Sequence, residues 1–80
     1  MGGDFDPEAG EPGYLYVALA DYIAGLIEAG KLRPGARLPG ERELAEEYGV
    51  SVATARRAVR ELRDRGLVVT LPAKGSYVVG

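Results

Sequence analysis

Apolar residues recur three or four positions apart in two stretches of the chain, which is the spacing of an amphipathic helix. The first stretch covers 14–29 and is followed by Gly30, a common helix terminator. The second covers 52–65, with Ser51 as a good N-cap before it and Gly66 after it. The two apolar stripes consist of Leu15, Leu19, Tyr22, Ile23, Leu26 and Ile27, and of Ala55, Ala58, Val59 and Leu62. Each stripe predicts a helix that buries one face.

A turn and an extended segment are predicted after the first helix. Pro34 and Gly35 favour a turn, because proline fixes its own φ and glycine permits a positive one. Residues 36–38 are predicted to be a short extended piece, since Pro39 disfavours helical backbone in the residue before it.

The remaining elements are a short helix and a hairpin. Residues 41–48 predict a brief helix with Gly40 as its N-cap and an acidic first turn, followed by a tight Gly-Val-Ser turn. Near the C-terminus, 67–71 and 76–79 are apolar and β-branched, and a Pro-Ala-Lys-Gly segment interrupts them. The predicted fold class is therefore mainly α, with three helices and a small β-hairpin.

Residues 1–13 differ in composition from the rest of the chain. They are acidic and rich in glycine and proline, with Phe5 as the one large apolar group after the initiating methionine. This composition predicts a flexible N-terminal arm, which leaves 14–80 as one domain. Neither a signal peptide nor a membrane span is evident, so we expect a cytoplasmic protein with no membrane partner.

The composition excludes several kinds of chemistry. The chain has no His, no Cys and no Trp, so it lacks the usual zinc ligands, a thiol nucleophile, an imidazole base and disulfides. An acid–base or metal cluster of Glu41, Glu43, Glu46 and Glu47 is one interpretation of the short acidic helix. Acidic residues that complement the helix dipole are the favoured one. We therefore predict a protein that is not an enzyme, with no cofactor and no metal.

Charge is distributed unevenly along the chain. Residues 1–30 carry six acidic and no basic side chains, whereas 31–80 carry ten basic and six acidic ones, for a net charge of −2 overall. The second long helix places its arginines on the outer face, at positions 56, 57, 60 and 63. Such a stripe alone is as typical of a solvated face as of a binding one, but a local basic face is also the electrostatic footprint of nucleic-acid binding.

Two short helices joined by a tight turn, the second of them basic and followed by a hairpin, form the pattern of a winged helix-turn-helix. The motifs, in chain order, are Leu-Arg-Pro-Gly-Ala-Arg-Leu-Pro-Gly-Glu-Arg-Glu-Leu-Ala at 32–45, Gly-Val-Ser at 49–51, Thr-Ala-Arg-Arg-Ala at 54–58 and Leu-Arg-Asp-Arg-Gly-Leu at 62–67. In their order and spacing these motifs resemble the N-terminal domain of GntR-type transcriptional regulators. The resemblance extends from Tyr14 to Val79.

The resemblance implies a winged helix-turn-helix that binds double-stranded operator DNA, usually as a homodimer on a near-palindrome, and acts as a repressor. Such a protein is associated with the nucleoid when it is bound to DNA. The positions that match the family's DNA contacts are Arg42, Ser51, Thr54, Arg56, Lys74 and Gly75.

The chain also departs from the family pattern. Val52 stands where an arginine is common, Gly40 where a serine is common, and Ala73 where the wing often has a glycine. Family members normally continue into an effector-binding or oligomerising domain, whereas this chain ends at Gly80. It is either a trimmed domain or a short stand-alone regulator, and no effector site is visible in it.

The chemistry of the second long helix supports the same interface independently. Val52 and Ala53 are small enough for the helix N-terminus to approach the floor of the major groove, where Val52 can contact a thymine methyl. Arg56 or Arg57 can then donate to O6 and N7 of a guanine. Lys74, at the hairpin tip, is placed for the minor groove or the backbone.

A second hypothesis treats the winged helix as a protein-interaction module without sequence-specific DNA binding, because the first half of the chain is acidic and the net charge is negative. Tyr14, Tyr16 and Tyr22 lie on the first helix, so packing in the core and at a dimer edge is favoured over a base-stacking platform.

Overall fold

The computed structural model describes residues 14–80, and the predicted arm of residues 1–13 lies outside that range. The elements are α1 (Leu15–Glu28), α2 (Glu41–Tyr48), α3 (Val52–Asp64), β1 (Val68–Leu71) and β2 (Gly75–Val78). They confirm the predicted order and class, with boundaries within one residue of those expected. No helix in the described part of the chain has the length and apolar content needed to cross a bilayer.

The core lies where α1 crosses α3, and α2 and the hairpin close it. All four apolar residues of the predicted α3 stripe are buried, and Leu19 and Ile23 of α1 face them. Leu44 adds the apolar side of α2, and Val68 pairs with Val78 to seal the hairpin end. Burying an aliphatic side chain of this size contributes about 1.5–3 kcal/mol each. The helices are therefore held by tertiary packing rather than by their own propensity.

The wing is a two-stranded hairpin with one short extended segment paired beside it. Strands β1 and β2 pair antiparallel. The extended segment 36–38 adds an isolated bridge between Arg37 and Tyr77 on the other side of β2. The amide of Leu38 donates to the carbonyl of Ser76, and the amide of Val78 donates to that of Ala36, both at 2.8 Å. The predicted extended piece is confirmed, and it anchors the base of the wing to the segment that leads into α2.

An ion-pair cluster fastens the end of α3 to α1. Arg65 contacts Asp21 at 2.8 Å and Glu61 at 3.0 Å. Its hydrogen bonds to Glu61 and then to Asp21 raise the pKa of Arg65 above its ordinary value. These ion pairs fasten the C-terminal end of α3, which leads into β1, to α1.

Candidate nucleic-acid interface

The turn between α2 and α3 is built from local caps. Gly49 ends α2 with a φ of 70°, a left-handed conformation that glycine adopts without steric cost. The amide of Thr54 donates to Oγ of Ser51 at 3.0 Å, and the Ser51 hydroxyl donates to Oγ1 of Thr54 at 3.0 Å. The Thr54 hydroxyl thus completes the cap, while the side chains of Val52 and Ala53 remain exposed on the first turn of α3.

Arg56 is held by the first turn of α2. Its Nε lies 3.0 Å from Oε1 of Glu41, and about half of each side chain is exposed. An exposed ion pair of this kind contributes up to about 1 kcal/mol, so it orients the guanidinium without locking it. Arg42, the next residue of α2, is exposed and makes no hydrogen bond or ion pair within residues 14–80. Arg56 thus lies beside the first turn of α2, the helix that carries Arg42.

Arg57 is oriented differently from its neighbour Arg56. Its guanidinium carbon lies 4.1 Å from the centroid of the Tyr16 ring, a cation–π contact with α1. Tyr22 meets Tyr48 edge to face, and Tyr16 and Tyr22 pack against the core as predicted, whereas Tyr14, just before α1, is 67% exposed and lies outside the core. The two arginines proposed for guanine contact therefore have different partners: Arg56 contacts Glu41 of α2, and Arg57 contacts Tyr16 of α1.

The backbone of the wing tip is fixed by two side-chain donors. The carbonyl of Lys74 accepts from Nε of Arg37 at 3.0 Å and from the hydroxyl of Tyr77 at 3.1 Å. Gly75 has a φ of 112°, and a Cβ there would lie 2.9 Å from Nε of Arg37. Glycine is therefore required at this position for both reasons. The Lys74 side chain projects from a tip whose backbone cannot easily shift.

Ala73 occupies the same tip with a φ of 62°, the left-handed region that L-residues avoid. Because this conformation costs a non-glycine residue about 1–2 kcal/mol, and glycine adds about 0.5–1 kcal/mol of chain entropy to the unfolded state, we expect Ala73→Gly to stabilise the domain by about 0.5 kcal/mol. Urea unfolding measures the change. Ala53→Gly, in helical backbone, is the matched control and is expected to lower stability. A lower midpoint for Ala73→Gly would contradict the strain assigned to the tip.

A basic concavity of about 390 Å³ lies between the N-terminus of α2, one side of α3 and the wing. We call it the arginine cleft, and its charged and hydroxyl-bearing lining consists of Arg37, Glu41, Arg56, Arg60, Arg63, Thr70 and Ser76. Four guanidinium groups against one carboxylate make it positive. Arg60 and Arg63 were placed on the basic outer face of the helix from the sequence but not among the predicted DNA contacts, and Arg37 was in neither set. The i, i+4, i+7 spacing of positions 56, 60 and 63 was an available signal, whereas no local pattern identifies Arg37.

The acidic residues of α2 have structural roles. Glu41 pairs with Arg56, and Oε1 of Glu43 accepts from the amide of Gly40 at 3.1 Å, which is the glutamate half of a capping box; Gly40 has no side chain to make the other half. Among the described residues no group of three or more acidic side chains is placed to hold a metal ion. Two of the four glutamates, Glu41 and Glu43, therefore make contacts that support the interpretation as structural residues.

Comparison with known proteins places the chain among transcriptional regulators. Residues 15–78 match the family described as "Bacterial regulatory proteins, gntR family". The mannosyl-D-glycerate transport/metabolism system repressor MngR of Escherichia coli is 41% identical over 64 residues, which cover 80% of this chain and 27% of MngR. The transcriptional repressor NagR of Bacillus subtilis is 36% identical over 80% of this chain and 26% of NagR. This chain thus spans about a quarter of the length of these relatives.

Solved structures agree with the sequence matches. YtrA from Sulfolobus acidocaldarius, a GntR-family transcription factor, superposes with a TM-score of 0.83 at 33% identity over 95% of this chain and 80% of YtrA. The DNA-binding domain of AraR in complex with operator ORX1 superposes with a TM-score of 0.76 at 33% identity, over 80% of this chain and 77% of that one. The winged helix-turn-helix class is confirmed, and the family and these relatives are transcriptional regulators. The chain belongs to the gntR family of bacterial regulatory proteins.

Proposed function

We propose that this chain is the DNA-reading part of a sequence-specific transcriptional regulator that acts as a repressor. The observation that carries the proposal is the basic concavity lined by the N-terminus of α2, one side of α3 and the wing, in a fold shared with the AraR domain solved on its operator. In this arrangement α3 enters the major groove and the wing reaches the minor groove or the backbone.

Each predicted contact residue has a role that its surroundings support. Val52 and Ala53 are exposed at the helix N-terminus and allow close approach to base edges, while Ser51 and the adjacent amides suit a phosphate. Arg56 donates to a guanine while Glu41 orients it. The other proposed contacts are Arg42, Thr54, Arg57, Lys74 and Gly75.

The proposal includes a two-fold symmetric complex. A regulator that binds as a homodimer presents two α3 helices to half-sites about one helical turn apart, which is why its operator is a near-palindrome. The apolar stripes of this domain are used internally, so we expect weak self-association without DNA and pairing on the operator. The expected location is the cytoplasm, at the nucleoid.

Affinity for matched duplexes tests the proposal. A fluorescent duplex carrying a selected site and a shuffled duplex of the same composition are titrated with the protein in 0.15 M salt. We expect the selected site to bind at least about 10³-fold more tightly. A uniform Kd of about 10⁻⁴–10⁻⁶ M for every duplex would contradict the proposal and favour the protein-interaction module.

Lys74→Ala tests the role of the wing. Because the Lys74 ammonium stands at a tip that is fixed through its backbone, removing the side chain deletes a charge without moving the strand ends. We expect weaker binding to all duplexes alike, and a slope of log K against log salt that is shallower by about 0.9. Isotherms at four salt concentrations measure this slope. A loss confined to the selected site would assign Lys74 to base recognition instead.

A further inference from the structure

We propose that the arginine cleft holds one sugar–phosphate strand of the bound DNA, with Arg60 and Arg63 contacting its phosphates. The inference rests on the proposed function and adds a site to it, since neither residue belongs to the contact set predicted from the sequence. The ligand is a phosphodiester, so recognition there is independent of base sequence.

The placement of the arginines along α3 carries the inference. Arg56, Arg60 and Arg63 fall at i, i+4 and i+7, so they form one line along the side of α3 that faces the wing. The line covers about 10 Å of helix axis at 1.5 Å per residue. It begins at the residue proposed for base contact and runs away from the helix N-terminus. Cations in this position meet the wall of the groove rather than its floor.

The partners of these arginines separate two roles. Nη1 of Arg63 donates to Oγ1 of Thr70 at 2.8 Å, and Thr70 shares a 2.9 Å hydrogen bond with Ser76 across the hairpin. Arg63 is therefore held against the wing with the rest of its guanidinium exposed to the cleft. The guanidinium of Arg60 makes no hydrogen bond or ion pair with any residue in 14–80, although it lines the same concavity. One cation is positioned and the other is free to follow the ligand.

The electrostatics of the cleft select an anion. Glu41 is the single acidic side chain in its lining, and Arg56 neutralises it. Arg37, Arg60 and Arg63 then remain as three uncompensated charges. A DNA strand that passes between a helix in the major groove and a wing beside the minor groove brings phosphates to this gap. The cleft therefore supplies the nonspecific part of the affinity, and the start of α3 supplies the specificity.

The salt dependence of binding tests the inference directly. We expect Arg60→Gln and Arg63→Gln each to make the slope of log K against log salt shallower by about 0.9, which is about a fivefold loss at 0.15 M salt, on selected and random duplexes alike. Lys31→Gln, which removes a charge from the turn after α1 and outside the cleft, is the matched control and should leave the slope unchanged. Arg60→Gln breaks no side-chain hydrogen bond or ion pair within 14–80, so its urea midpoint is expected to match that of the wild type. Unchanged slopes for both cleft variants would overturn the inference.

Neutral phosphates locate the contact. Uncharged methylphosphonates are placed in the DNA one position at a time. At one position in the strand beside α3, the substitution is expected to weaken binding by the wild type and to have no effect on binding by Arg60→Gln. Equal losses for the two proteins at every position would overturn the assignment. Inorganic phosphate added at constant ionic strength tests whether the cleft binds a small free anion instead. If phosphate releases DNA from the wild type and not from Arg60→Gln, the ligand of the cleft is a small anion and the inference of a DNA strand is wrong. If the wild type binds all duplexes equally, the proposed function fails, while the slopes on random DNA still decide the cleft.

Discussion

Leu62→Ala is expected to lower the free energy of unfolding of the domain by about 2–5 kcal/mol. Leu62 is completely buried in the stripe of α3 that packs on α1. Truncating a buried leucine costs about 2–5 kcal/mol, through lost transfer energy and the cavity left behind. The total stability of an 80-residue domain is about 4–12 kcal/mol. One side chain therefore accounts for a large share of it, and the chain has no cysteine with which to form a disulfide.

Circular dichroism during urea titration measures the effect of Leu62→Ala. Leu71→Ala is the matched control, because Leu71 is 42% exposed at the end of β1 and its truncation removes little packing. We expect the control to change stability by less than about 1 kcal/mol. Equal midpoints for the two variants would show that the contact between α1 and α3 is not the main source of stability.

Arg56→Ala is expected to weaken binding to the selected site by about 5- to 150-fold, corresponding to about 1–3 kcal/mol, with a much smaller effect on random DNA. The physical reason is that a guanidinium donating to a guanine discriminates between bases, whereas a phosphate contact does not. The pair with Glu41 strengthens this expectation, because it reduces the conformations that Arg56 must give up on binding.

The measurement for Arg56→Ala is a pair of titrations, on the selected and the shuffled duplex. Arg33→Ala is the control, since Arg33 is an exposed arginine in the Pro-Gly turn and does not line the arginine cleft. We expect Arg33→Ala to leave the ratio of the two affinities unchanged. Equal losses on both duplexes for Arg56→Ala would reassign the residue to the backbone.

Helix periodicity and turn residues were sufficient to predict most of the fold. The four inner residues of α3 were predicted from 3.6-residue spacing, because an amphipathic stripe has one way to reach a core. Gly49 and Ser51 likewise act through their own backbone and their immediate neighbours, so their roles are local. The extended segment 36–38 was predicted from proline sterics, although its pairing with β2 was not.

The side-chain contacts of the interface depend on residues far apart in the chain. Glu41 and Arg56 are 15 positions apart, and Arg37 and Lys74 are 37 positions apart. No periodicity within one element connects such pairs, so they appear only when α2, α3 and the wing are assembled. For the same reason the cation–π contact of Arg57 with Tyr16 could not be predicted from the sequence.

Two departures from the family pattern acquire physical explanations. Gly40 lacks the side chain of a capping serine, so only the half of the capping box in which the Glu43 carboxylate accepts from the Gly40 amide is made. Ala73 adopts the positive φ that a wing glycine would adopt without strain. Val52, where an arginine is common, is 37% exposed on the first turn of α3. We expect it to favour a half-site with a thymine at the contacted position.

Selection of bound fragments from sheared genomic DNA at about 0.15 M salt, run in parallel with the wild type and Arg56→Ala, tests the central claim most directly, because nonspecific phosphate attraction is largely suppressed there. The account predicts one inverted-repeat motif for the wild type, with half-sites about one helical turn apart, and loss of preference at one guanine of each half-site for the variant. No enriched motif with the wild type, or the same motif with both proteins, would contradict the claim that α3 of this chain reads DNA sequence through Arg56.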